Sequence, residues 1–169
     1  MIRLHLLASV MAVLVAGCAG YRMGPTNGVE AGSRTVRVQY FANQTLQPRL
    51  SEAIAQALRK RFQEDGTYHL ANDTDADVVV TGEIVRFERI PVTFQPGDVR
   101  TTRDEEITLT VHVLAQDLRA GTKILDREVR GRIDVRIEAD QTSAERQALS
   151  QLAEDFANKA VPMIVDGSW

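Results

Sequence analysis

The stretch Ile107-Thr108-Leu109-Thr110-Val111-His112-Val113 has the most regular alternation of apolar and polar residues in the sequence. Successive side chains of a β-strand point to opposite faces of a sheet, so this pattern predicts a strand with one buried and one exposed face. Ala120-Gly121 follows and predicts a hairpin turn. The returning segment again places its apolar residues on one face: Leu125, Val129, Ile133 and Val135. The pair therefore predicts an antiparallel sheet that is apolar on one side and charged on the other.

Two further strands are expected before this hairpin. Residues 35–41 alternate in the same way, and residues 78–87 begin with an apolar run that is typical of a strand buried on both faces. Pro91 limits the second of these strands because proline cannot donate to a sheet ladder. Residues 68–70 could form a brief extended piece.

Two segments have apolar residues three and four positions apart, which predicts amphipathic helices. The first is expected to carry Pro48 in its first turn and to end at Gly66. Its apolar face consists of Leu50, Ile54, Ala57, Leu58 and Phe62. The second is expected to begin with a capping box over residues 142–145, and Pro162 should end or kink it near Ala160. Its apolar stripe consists of Leu149, Leu152, Phe156 and Ala160.

These elements predict a two-layer α+β sandwich with the order β-α-β-β-β-α. Each helix needs one apolar face covered, and the sheet offers one such face, so both helices should pack on the same side. The expected sheet is mainly antiparallel and has about four strands. Residues 35–169 form a single domain on this interpretation, since no internal repeat is present.

The N-terminus has the features of an exported lipoprotein. A basic residue, Arg3, precedes a short apolar run, and small residues then lead into Cys18, the only cysteine. This pattern indicates a signal peptide over residues 1–17, and Val15-Ala16-Gly17-Cys18 resembles a bacterial lipobox, in which the cysteine is lipid-modified. Residues 18–34 are then a lipidated N-terminus and tether. The alternative is an ordinary exported protein with a chance cysteine.

Composition and motifs favour a binding or structural role over catalysis. Removing 17 of the 169 residues leaves 152, enough for one core, and the net charge of -3 argues against a nucleic-acid binder. His5, His69 and His112 have no partners at metal or triad spacing. The acidic run of residues 104–106 is typical of a solvated strand end. We therefore expect no enzyme activity, catalytic residue, metal or cofactor.

Arginines on the expected strands are the remaining candidates for ligand binding. Arg86, Arg89, Arg100 and Arg103 flank the Pro96-Gly97 turn, and Arg130, Arg132 and Arg136 lie on the charged face of the last strand. Because guanidinium groups bind phosphates through two parallel hydrogen bonds, an anionic phospholipid or glycolipid is a plausible ligand. The alternative is alternating surface charge, with ion pairs to Glu128 and Asp134.

Three stretches resemble the LptE family of lipopolysaccharide-assembly lipoproteins. Residues 18–23 resemble the Cys-Gly-Tyr start of its mature members, with Ala19 as an extra residue. Residues 41–50 look like the family's Phe-x-Asn-x-Thr-x-x-Pro-x-Leu opening of the first helix. Residues 76–84 are similar to its Ala-Asp-x-x-x-x-Gly strand, and the order of elements also agrees.

The resemblance implies a non-catalytic lipoprotein of cell-envelope biogenesis, carrying lipid such as palmitate on Cys18. It implies location at the outer membrane on the periplasmic side, in the LptD β-barrel, which the protein plugs while assisting lipopolysaccharide insertion into the outer leaflet. Ala19 is similar to the sorting signal of outer-membrane lipoproteins. The resemblance and the arginine pattern together imply six candidate lipopolysaccharide contacts: Arg86, Arg100, Arg103, Arg127, Arg130 and Arg132. The alternative function is a lipid-anchored periplasmic module that binds a soluble or cell-wall ligand without a barrel partner.

Overall fold

The structure is a computed structural model that describes residues 32–72, 75–95, 98–136 and 141–166. The side chains of residues 93–95, 98–103 and 141–144 lie outside this description. The expected signal peptide, the tether as far as residue 31 and the lipid-bearing Cys18 also lie outside the described residues. No described helix has both the length and the apolar character that a membrane span requires.

The described chain forms six strands and two helices. In chain order they are β1 (Arg34–Val38), β2 (Ala42–Asn43), α1 (Leu50–Asp65), β3 (Tyr68–Leu70), β4 (Val78–Gln95), β5 (Asp98–Asp117), β6 (Thr122–Arg136) and α2 (Gln141–Asp166). The sheet order is β3-β1-β4-β5-β6, and β2 pairs with β4 beyond the end of β1. The α+β class and the packing of both helices on one apolar face agree with the sequence prediction.

The expected strand number and the expected pairing are both wrong in detail. The sheet has six strands rather than about four, because β2 and β3 are two and three residues long and carry little periodic signal. It is mixed rather than mainly antiparallel, since β1 runs parallel to β3 and β4, and β2 runs parallel to β4. Helix α1 connects β1 to β3, and a helical crossover joins parallel neighbours. Among the described strands, the antiparallel pairs are those of the β4-β5-β6 meander. The expectation that Pro91 limits β4 is wrong, because the strand continues to Gln95. The described pairing of β4 with β2 ends at Ile84, so Pro91 lies at an edge of the sheet, where a missing N–H is tolerated.

Both helices differ from prediction at one end. Pro48 precedes α1 rather than lying in its first turn, and Gly66 ends that helix as expected, in the left-handed conformation with its N–H donated to the Phe62 carbonyl at 3.1 Å. Helix α2 continues past Pro162 to Asp166. The turn after Pro162 buries Ile164 and Val165, and this burial offsets the hydrogen bond that proline removes.

Two glycines let neighbouring layers approach closely. A Cβ on Gly82 would lie 2.4 Å from both the Phe41 ring and the His112 carbonyl oxygen. A Cβ on Gly131 would lie 3.0 Å from the Leu152 carbonyl oxygen of α2. The Phe41 ring is fully buried in the space that Gly82 leaves. This contact gives a physical reason for the Phe and Gly of the two motifs identified in the sequence.

Asp77 connects the starts of β1 and β4 with the turn between β5 and β6. Its carboxylate accepts hydrogen bonds from the Thr35 N–H at 2.8 Å and the Thr35 hydroxyl at 3.2 Å, and it pairs with Arg119. Its carbonyl accepts the Leu118 N–H at 2.8 Å. These bonds, led by that from the Thr35 backbone, hold the pKa of the Asp77 carboxyl below its usual value. Asp77 therefore ties β1, β4 and the β5–β6 turn together.

Candidate functional site

A β-bulge at Val85 decides which residues of β4 reach the uncovered face of the sheet. Ile84 pairs with Val111, but the next paired residue is Arg86, opposite Thr110, so Val85 is skipped. A bulge of one residue exchanges the faces of all the residues that follow it. Before the bulge Glu83 lies on the uncovered face, and after it Arg86 and Glu88 do. Without the bulge, Arg86 would share the helix-covered face with Ile84.

Arg86, Thr110 and Arg130 form one row across β4, β5 and β6. Thr110 lies between the two arginines and is only 7% exposed, whereas both arginines are exposed. Their Cα atoms are separated by two strand spacings, about 10 Å. Within the described part of the chain, neither guanidinium has an ion-pair partner. The row therefore presents two guanidinium groups without described ion-pair partners, spaced so that one anion spanning the strands could contact both.

The other candidate arginines do not join this row. Arg132 lies on the same face but pairs with Glu106 at 2.6 Å. Arg127 pairs in register with Val113, so it lies on the helix-covered face, exposed at the sheet edge. Alternation along β6 already places Arg127 with Leu125 and Val129, opposite to Arg130. The side chains of Arg100 and Arg103, on the outer part of β5, lie outside the description.

The uncovered face as a whole carries mixed charge. Its carboxylates on the three antiparallel strands include Glu83, Glu88, Asp104, Glu106, Asp126, Glu128 and Asp134. The ion pairs join the neighbouring strands β6 and β5, from Arg132 to Glu106 and from Arg136 to Asp104 at 3.3 Å. They do not involve Glu128 or Asp134, which the alternative interpretation of the sequence expected as partners. The guanidinium groups of the Arg86–Arg130 row are therefore not neutralised by the described ion pairs of this face, whereas those of Arg132 and Arg136 are.

The end of this face near the β5–β6 turn is occupied by a second charge cluster. Asp126 contacts the Lys123 ammonium at 2.5 Å and the His112 imidazole at 3.1 Å. The hydrogen bond from Lys123 is the main cause that lowers the pKa of the Asp126 carboxyl. In the described part of the chain, no group of three or more His, Cys, Asp or Glu side chains is arranged to hold a metal ion.

A shallow groove of about 400 Å³ lies beside Arg86. Leu46 and Val85 contribute its apolar part, and Leu46 is fully exposed. The turn that presents Leu46 is held by Asn43, whose side chain accepts from the Thr45 N–H at 2.9 Å and donates to the Gln47 carbonyl at 2.8 Å. The groove depends on the bulge in β4, which local sequence patterns do not reveal. An apolar surface beside an unpaired guanidinium suits an amphiphilic anion.

Comparisons with known proteins agree with the fold and identify a family. The family model described as "LptE: Lipopolysaccharide-assembly" matches residues 33–161. A search of curated proteins found no match. Among solved structures, the chain is similar to protein XCC0632 from Xanthomonas campestris, with a TM-score of 0.56, 13% identity and coverage of 86% of this chain and 92% of that one.

Two other solved structures share the fold. The hypothetical protein CT253 from Chlamydia trachomatis has a TM-score of 0.55, 10% identity and coverage of 78% of this chain and 95% of that one. A putative lipoprotein from Caulobacter crescentus CB15 has a TM-score of 0.50, 10% identity and coverage of 74% and 87%. At these identities the likeness concerns the fold alone. The match of the family model over most of the sequence shows that the chain belongs to the LptE family of lipopolysaccharide-assembly proteins.

Proposed function

We propose that this protein is a lipid-anchored outer-membrane lipoprotein that plugs an LptD-type β-barrel and assists insertion of lipopolysaccharide into the outer leaflet. The family match carries this proposal. The protein acts without catalysis or a cofactor, as expected of a member of a non-catalytic lipoprotein family. A signal peptide over residues 1–17 directs export, and lipid on Cys18, including palmitate, holds the domain on the periplasmic side of the membrane.

The Arg86–Arg130 row is the favoured contact for the phosphates of lipopolysaccharide. Both guanidiniums are exposed and unpaired among the described residues, whereas Arg132 is already engaged by Glu106. The Leu46–Val85 groove supplies apolar surface next to Arg86 for the lipid part of the ligand. Arg100 and Arg103 belong to the outer part of the same hairpin and remain candidate contacts, whereas Arg127 faces the opposite side of the sheet and is not part of the proposed site.

Isolation of the membrane complex tests the barrel partnership. Detergent solubilisation of the envelope should co-purify a large barrel protein whose electrophoretic mobility changes on heating. A clean monomer without such a partner would favour the alternative, a periplasmic module for a soluble or cell-wall ligand. Cys18→Ala should move newly made protein to the soluble periplasmic fraction, and unchanged membrane retention in cells lacking the barrel would contradict lipid anchoring.

Binding of purified lipopolysaccharide to the full mature chain tests the arginine row. Arg86→Gln combined with Arg130→Gln should weaken binding about tenfold or more, since each charge-assisted hydrogen bond contributes roughly 1.5–3 kcal/mol. Arg127→Gln is the matched control on the opposite face and should have little effect. The thermal midpoint should stay nearly constant in both variants, because the changed side chains are exposed. Equal losses in the control and the double variant would exclude the row as the site.

A further inference from the structure

A second groove, of about 460 Å³, lies between α1 and α2 on the side of the sheet opposite to the Arg86–Arg130 row. We call it the helix groove. Its apolar lining includes Ala53 and Ala57, one turn apart on α1, and Leu149 on α2. Two alanines on successive turns leave a hollow where larger side chains would fill the space between the helices. The result is a concave surface with an apolar floor.

The two helices run in the same direction, so their N-termini lie at the same end of the helix groove. Gln47, just before α1, donates to Glu145 near the start of α2 at 3.1 Å. Further along, Lys60 pairs with Glu154 at 2.8 Å and closes the opposite end. Parallel helices bring their positive N-terminal ends together, which favours a negatively charged group near that end.

Arg49 and Arg146 line this end of the helix groove from opposite sides. Among the described residues, neither arginine has an ion-pair partner. Of the two carboxylates that line the groove, Glu154 pairs with Lys60, whereas Glu52 has no described ion-pair partner. The Arg49 backbone is in the left-handed region, with φ 63, where a residue with a Cβ is strained and glycine is not. Its side chain does not cap α1. The local backbone therefore does not explain an arginine at this position.

We propose that the helix groove docks an acidic, partly apolar segment of a protein partner. Apolar side chains of that segment cover Ala53, Ala57 and Leu149, and a carboxylate lies between Arg49 and Arg146. A single carboxylate fits a site that also contains Glu52, whereas a polyanionic lipid headgroup would be repelled by it. The groove accommodates a few side chains, as is usual for a segment lying between two helices. This surface is separate from the proposed lipopolysaccharide contacts.

Site-specific photo-cross-linking of the full lipidated chain in its native envelope tests the proposal. A benzophenone amino acid replaces Gln56, which lines the helix groove, or Gln63, an exposed residue of the same helix that does not. The expected product is an adduct from position 56 alone, mapped by mass spectrometry to a partner peptide that contains Asp or Glu. An adduct with lipid, an adduct with a second copy of this chain, equal adducts from both positions, or no adduct would overturn the proposal.

Variants of Arg49 and Arg146 test whether formation of the cross-linked adduct depends on the positive charge of these two residues. Arg49→Gly combined with Arg146→Gln should lower the yield of the position-56 adduct about tenfold. Arg49→Gly relieves the left-handed strain, so the fold should be retained or stabilised. Arg146→Glu should abolish the adduct, and replacement of the mapped partner carboxylate by arginine should restore it. An undiminished yield of the adduct in these variants would refute the carboxylate contact. Lipopolysaccharide binding should be unchanged in the same variants, because the helix groove and the Arg86–Arg130 row are separate surfaces.

Discussion

Removal of the Asp77 carboxylate should destabilise the domain far more than removal of a neighbouring exposed carboxylate. Asp77→Ala leaves the Thr35 N–H and the Arg119 guanidinium without their acceptor, and the Asp77 side chain is only 6% exposed. Each hydrogen bond to a charged group contributes roughly 1.5–3 kcal/mol, and the exposed Arg119 regains water, so the expected loss is about 3 kcal/mol of unfolding free energy. For a domain of this size that corresponds to a fall in Tm of roughly 10 °C.

Thermal and urea unfolding followed by circular dichroism would measure this loss. Asp75→Ala is the matched control, because Asp75 is exposed, and it should change stability by less than about 0.5 kcal/mol. If Asp77→Ala were as stable as the control, the connection of β1, β4 and the β5–β6 turn through Asp77 would be refuted.

The pH dependence of a second variant, Asp77→Asn, provides an independent check. Because the pKa of Asp77 is lowered in the folded protein from the ordinary value of 3.8, the unfolded chain takes up the proton first as pH falls. The stabilisation is therefore fully present above that ordinary value and is lost as pH falls through the folded-state pKa. The difference in Tm between wild type and Asp77→Asn should be constant near neutral pH and shrink in strong acid. A difference that grew on acidification would have the wrong sign.

Three further changes test the fold and its surface. Gly82→Ala should destabilise the protein by about 2–4 kcal/mol in urea unfolding, since its Cβ would overlap the Phe41 ring and a backbone carbonyl; a neutral result would refute that contact. Pro162→Ala should raise Tm, because it restores an N–H inside α2, and a lowered Tm would show that the proline ring itself is needed. Leu46→Ser should leave Tm unchanged because Leu46 is fully exposed, yet weaken lipopolysaccharide binding if its groove holds lipid; a large fall in Tm would contradict its exposure.

The order of the long elements follows directly from local patterns in the sequence. The alternation over residues 107–113 predicts β5, and the return to β6 follows from Ala120-Gly121. The apolar stripes predict both helices, and Gly66 predicts the end of α1. These signals are readable because side-chain direction repeats every 2 residues in a strand and about every 3.6 in a helix.

The same reasoning is weaker for short and interrupted elements. It predicts residues 68–70 only as a brief extended piece, which is β3, and it does not predict β2. Both strands are too short to show a period, and their positions depend on pairing with β1 and β4, which are distant in sequence. Helix α2 continues through Pro162 because residues beyond it are buried against the rest of the core, an effect that local propensity does not include. Tertiary packing outweighed the local preference in each case.

The candidate site divides in the same way between sequence and tertiary structure. Alternation along β6 is enough to predict that Arg130 and Arg127 face opposite sides of the sheet. The bulge at Val85 that aligns Arg86 with Arg130, and the ion pair between Arg132 and Glu106, depend on strand pairing that the local pattern does not contain. Strand register depends on contacts between residues far apart in the chain, and a shift of one residue exchanges the two faces. Tertiary packing therefore determines which arginines share the uncovered face of the sheet, although local alternation within each strand restricts the choice.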